Sequence, residues 1–61
     1  MPSDDTRRLL RTFGVAVTAY EDAVLNKGPI DEILEAEKEA RARLQDVTAL
    51  IDRLRAVASA S

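Results

Sequence analysis

The chain has 61 residues with no cysteine and no histidine, which excludes disulfides and metal sites built from thiolate or imidazole ligands. Nine basic and eleven acidic residues give a net charge of −2, and only Phe13 and Tyr20 are aromatic. This composition argues against a general nucleic-acid binder, which is normally basic and often carries aromatic side chains for base stacking. A core this small is marginal, so we expect the fold to depend on oligomerisation or on very close helix packing.

The chain shows no sign of a membrane segment or an export signal. No apolar run approaches the length of a bilayer span, and the N-terminal "MPSDDTRR" lacks the apolar core of a signal peptide. We therefore expect a cytoplasmic protein with no membrane partner, which is either a whole chain or one domain of a larger one.

The first predicted element is a helix over about residues 4–26. Ser3 can cap its N-terminus, and Asp4 and Asp5 follow where the helix dipole favours acids. The stretch "RTFGVAVTAY" at residues 11–20 has the alternation and β-branched residues of a strand, but a single strand would have no partner here. A helical seam with spacings of 3 and 4 covers the whole segment and therefore outweighs local propensity. Its members are Leu10, Phe13, Val17, Tyr20 and Val24.

Gly14 lies inside this predicted helix, where it costs about 1 kcal/mol relative to alanine. Two interpretations stay open. The glycine is either a residue without a structural role that the helix tolerates, or a point where another helix approaches closely beside Phe13.

A turn at residues 26–29, "NKGP", separates this helix from a second one over about residues 29–58. Gly28 suits the left-handed position after a helix, and Pro29 suits the first turn of the next. The second helix again carries a seam with steps of 3 and 4. That seam comprises Ile30, Ile33, Glu37, Ala40, Leu44, Val47, Ile51, Leu54 and Ala58.

A short turn makes consecutive helices antiparallel neighbours, so the sequence predicts an all-α fold, a single two-helix hairpin over residues 1–61. Folding at Gly28 pairs the two seams level by level, for example Phe13 with Leu44. Apolar residues remain outside the seams, and their burial would add several kcal/mol at about 25 cal/mol per Å². We therefore expect self-association, as a homodimeric, coiled-coil-like four-helix bundle or a higher assembly, although a hetero-complex stays open. The predicted oligomer interface is Leu9, Ala16, Ala23, Ala36, Leu50, Leu54 and Val57.

Glu37 breaks the apolar rule of the second seam, opposite Tyr20. Three interpretations are open: a carboxylate that reaches solvent at the seam edge, a core hydrogen bond from the tyrosine, or a catalytic carboxylate. The last is the weakest, since no second acid, histidine or cysteine is placed to assist it.

Five arginines gather at the open end of the predicted hairpin: Arg7, Arg8, Arg11, Arg53 and Arg55. They form either a solvated, salt-bridged surface or a docking patch for an acidic or phosphate-bearing partner. The leading prediction is a non-enzymatic oligomerisation or adaptor module that binds itself and a protein partner, with a regulatory role open. The alternative is a nucleic-acid-binding regulator that uses the arginines, and an enzyme is less favoured. We expect no cofactor, and no metal site, because carboxylate pairs such as Asp31 and Glu35 lack the histidine that di-metal bundles usually add.

Overall fold

The computed structural model describes residues 3–60, which form two helices and no strand: α1, Asp4–Leu25, and α2, Ile30–Ala60. The two helices pack against each other as a hairpin. The predicted all-α class with two helices is confirmed. Met1, Pro2 and Ser61, which the predicted range included, lie outside the described residues.

The start of α1 follows the expected capping chemistry. Ser3 Oγ accepts a hydrogen bond from the backbone N–H of Thr6 at 3.1 Å, which satisfies one of the free donors of the first turn. Further along, the hydroxyl groups of Thr12 and Thr18 donate to the carbonyls of Arg8 and Gly14, each at 2.8 Å. The threonines that gave this segment strand character therefore bond back onto their own helix.

Two nested backbone hydrogen bonds close the C-terminal end of α1 at the turn. The N–H of Gly28 donates to the carbonyl of Ala23 at 3.1 Å, and that of Lys27 donates to Val24 at 3.2 Å. This is the Schellman pattern, which requires a left-handed residue just past the helix. Lys27, with φ of 52°, fills that position, so the prediction that Gly28 would take it was wrong. The chain turns one residue earlier than "GP" suggests, and Gly28 keeps an ordinary φ.

The start of α2 has a backbone acceptor as its cap. The carbonyl of Pro29 accepts from the N–H groups of Glu32 and Ile33 at 3.0 and 3.1 Å. Asp31 and Glu32 place negative charge in the first turn, where the helix dipole favours it. Since α2 has 31 residues and α1 has 22, the last turns of α2 extend past the start of α1.

The helices meet along a stripe of α1 that shares only part of the predicted seam. The shielded positions of α1 keep the spacing of 3 and 4 and are Thr6, Leu9, Phe13, Ala16, Tyr20 and Ala23. Those of α2 include Ile33, Ala36, Glu37, Ala40, Arg43, Val47 and Leu50. Ala16 and Ala40 are the two buried residues of the described chain, and their small side chains allow the helices to approach closely.

The hairpin leaves an unusually large surface in contact with water. A compact monomer of 6.7 kDa exposes about 3,900 Å² by the usual scaling with mass. This chain exposes 5055 Å². The excess of about 1,100 Å² exceeds the roughly 800 Å² that each partner contributes to a standard protein–protein interface.

Candidate functional site

One side of the hairpin carries a shallow apolar groove between the helices, and we call this side the front face. The groove has a volume of about 190 Å³. Phe13, Val17 and Tyr20 of α1 line it together with Glu37, Ala40, Arg41 and Leu44 of α2. These residues meet at the levels that folding at Gly28 predicts.

Large apolar side chains extend the front face along both helices. On α1, Leu10 and Val24 each lie seven residues, or two turns, from the groove residue Val17. On α2, Ile30 lies seven residues before Glu37, and Ile51 lies seven residues after Leu44. Their exposure is high for residues of this kind. Leu10 is 51% exposed, Val17 39%, Val24 44%, Leu44 47% and Ile51 59%. The front face is therefore a continuous apolar surface that the hairpin itself does not cover.

A single ion pair lies in the groove. Arg41 Nε donates to Glu37 Oε2 at 3.0 Å, one turn away on the same helix. Among the described residues no hydrogen bond joins Tyr20 to Glu37, although both line the groove. Glu37 thus sits at the seam edge and bonds to an arginine instead of the tyrosine. The spacing of Glu37 and Arg41, four apart with the acid first, is the sequence signal that indicates this pair.

The opposite side, the back face, has a groove of different chemistry with a volume of about 380 Å³. Arg43 lies at its centre, with Nη1 at 3.2 Å from Asp46 Oδ2 and Nε at 3.4 Å from Glu39 Oε1. Across the groove, Arg8 Nη2 is 3.7 Å from Asp5 Oδ1. The remaining lining residues are Leu9, Thr12 and Arg53. Charged groups on this side are largely compensated by neighbours on their own helix.

The open-end arginines divide among several surfaces. Arg8 and Arg53 share the back groove, which brings residues from the two ends of the chain together as predicted from the antiparallel fold. Arg11 lines a separate shallow depression on α1 with Gly14 and Val15. Arg7 and Arg55 are exposed and line neither groove.

The structure also places the residues predicted for an oligomer interface. Five of them lie along the contact between α1 and α2: Leu9, Ala16, Ala23, Ala36 and Leu50. Leu54 and Val57 lie at the open end, beside Ser3 and Thr6. The exposed large apolar side chains of α1 include Leu10, Val17 and Val24, which the predicted seam placed inside the hairpin.

Comparison with protein-family models, with curated proteins and with solved structures finds no match to this chain. Within residues 3–60, neither helix is long and apolar enough to span a membrane. The same residues contain no cluster of three or more metal-ligating side chains.

Proposed function

We propose that the chain is a non-enzymatic helical oligomerisation module, in which the front faces of two copies meet to form a homodimeric four-helix bundle. The observation that carries this proposal is the continuous apolar front face on a hairpin in which, among residues 3–60, only Ala16 and Ala40 are buried. Side chains spaced by 3, 4 and 7 residues on both helices are the pattern with which helices of a bundle interlock.

The energetics favour a second copy as the occupant of this face. The surplus surface of about 1,100 Å² exceeds the roughly 800 Å² that a standard interface covers on each chain. Burying the apolar part of this surface at about 25 cal/mol per Å² would contribute an amount comparable with the whole stability of many small domains. The groove's one ion pair, Glu37 with Arg41, is already formed within the chain and leaves no carboxylate without a partner.

The experiment combines mass and thermal stability over a hundredfold range of protein concentration. We expect a dimeric mass by sedimentation and a thermal midpoint that rises with concentration, because association stabilises the folded state. Val17→Glu should abolish both effects by placing a charge on the front face. Thr12→Glu is the control, since Thr12 is exposed and lines the back groove instead of the front one. A monomeric wild type whose midpoint is constant would overturn the proposal.

The bundle would leave both back faces in water. Arg8 and Arg53 of the back groove would then stay accessible to a further protein, so the adaptor role stays a prediction from the sequence, as does the regulatory one.

A further inference from the structure

The two ends of the hairpin carry opposite charge. The turn end has five carboxylates against Lys27, and they are Glu21, Asp22, Asp31, Glu32 and Glu35. The open end has the five arginines and Arg43 against four carboxylates, Asp4, Asp5, Asp46 and Asp52. Each hairpin is therefore an elongated body, 49 Å long, that is acidic at the turn and basic at the opposite end.

This polarity distinguishes the two ways in which two front faces can meet. If both turns lay at the same end, the acidic clusters would adjoin and repel each other. If the turns lay at opposite ends, each acidic turn would adjoin the partner's arginines, which is electrostatically favourable. Both arrangements have twofold symmetry, so symmetry does not choose between them. Charge favours opposite ends.

A line of residues on α1 fits the arrangement with the turns at opposite ends. Arg7, Gly14 and Glu21 are spaced by seven, so they lie on one side of α1 next to the apolar line of Leu10, Val17 and Val24. In a bundle with turns at opposite ends, neighbouring helices are all antiparallel, so α1 lies beside the partner's α1. Rotating one copy end over end about the level of Gly14 then brings Arg7 to the level of the partner's Glu21.

Gly14, midway between Arg7 and Glu21 on α1, also supports this arrangement. A Cβ added there would meet nothing within 4 Å in the hairpin, so the fold of one chain does not require glycine. Glycine within a helix is nonetheless unfavourable. A second helix that approaches α1 at Gly14 gives a physical reason for the missing side chain.

We propose that two copies pack front face to front face with their turns at opposite ends, so that the α1 helices cross at Gly14 and Arg7 lies beside the partner's Glu21. This arrangement rests on the proposed function, since it specifies the geometry of the same assembly.

Disulfide trapping tests the orientation, and the absence of native cysteine makes single-cysteine variants unambiguous. Gly14→Cys should oxidise to a covalent dimer, because a disulfide requires Cα atoms within about 7 Å. Lys27→Cys, at the turn, should stay uncrosslinked because the two turns are at opposite ends. Efficient crosslinking of Lys27→Cys, or its absence for Gly14→Cys in a sample with dimeric mass, would overturn the arrangement.

Charge reversal tests the contact itself. Arg7→Glu alone and Glu21→Arg alone each place like charges side by side, so both homodimers should weaken. Mixed together, the two variants should form a heterodimer roughly tenfold tighter than either homodimer, because both contacts become attractive again. The preference should fall at high salt. Arg8→Glu is the control, since Arg8 lines the back groove and should gain nothing from mixing with Glu21→Arg.

The outcomes separate the two proposals. A wild type that is monomeric at all concentrations would overturn both the proposed dimer and its proposed arrangement. A dimeric wild type whose reversed variants show no preference for each other keeps the oligomerisation module and overturns only the arrangement.

Discussion

The front and back faces of this hairpin are built from adjacent residues yet have opposite chemistry. Leu44 lines the front groove and Arg43 the back groove, and one residue along a helix is enough to move a side chain from one flank to the other. The front groove contains one ion pair among apolar side chains, whereas the back groove is lined mostly by charged residues in local ion pairs. A two-helix hairpin can therefore carry a charged surface on one side and an uncovered apolar surface on the other.

The largest expected effect comes from making the back face resemble the front. Replacing Arg8, Arg43 and Asp46 with leucine would give the hairpin a second exposed apolar surface. We expect assemblies larger than the wild type, with lower solubility, measured by light scattering over a concentration series. The same three residues changed to glutamine should keep the wild-type mass. An unchanged mass for the leucine variant would show that charge on the back face does not limit association.

A smaller effect should come from the turn, which belongs to neither face. Lys27→Gly removes the strain of a side chain in the left-handed region and should stabilise the hairpin by about 1 kcal/mol. Urea unfolding measures this change, which should be equal at low and high protein concentration because association is untouched. Gly28→Ala is the control: its Cβ would lie 3.5 Å from the Ala23 carbonyl oxygen, an ordinary contact. We expect that variant to change stability by under about 0.5 kcal/mol. A loss of stability in Lys27→Gly would contradict the assigned turn.

The smallest effect concerns the polar pair of the front face. Glu37→Leu loses an exposed-helix ion pair worth about 0.3–0.5 kcal/mol and gains apolar area in the groove. The dissociation constant of the dimer should therefore stay the same or decrease, as measured by sedimentation.

Tyr20→Phe should change the free energy of unfolding by under about 0.5 kcal/mol, since its hydroxyl makes no hydrogen bond to Glu37. A large loss from either variant would reveal a polar partner for that side chain across the interface.

Much of the fold follows from periodicity and punctuation. The Ser3 cap, the two helices and the level of pairing at Phe13 and Leu44 are all found where the sequence indicates them. The rotation of α1 was not predictable in the same way. Two stripes run along this helix, one through Leu10, Val17 and Val24 and one through Leu9, Ala16 and Ala23, and both share Phe13 and Tyr20.

Apolar pattern alone cannot say which stripe faces α2, because both have the same period. Side-chain size separates them at two levels: the small Ala16 and Ala23 face α2, where they permit close approach, and the larger Val17 and Val24 remain outside. The turn shows a similar limit. Composition placed the left-handed residue at Gly28, but the hydrogen bonds to Ala23 and Val24 place it at Lys27.

The open end has a consequence for anything attached to this hairpin. Ser3 lies beside Leu54 there, so the first described residue and the last turns of α2 leave from the same end. A domain fused to either terminus would be tethered at that end. In a bundle with turns at opposite ends, the tethers of the two copies would emerge at opposite ends of the dimer and point away from each other. Such a dimer would act as a rigid spacer that holds two cargoes at a fixed separation, whereas the same-end arrangement would bring them together.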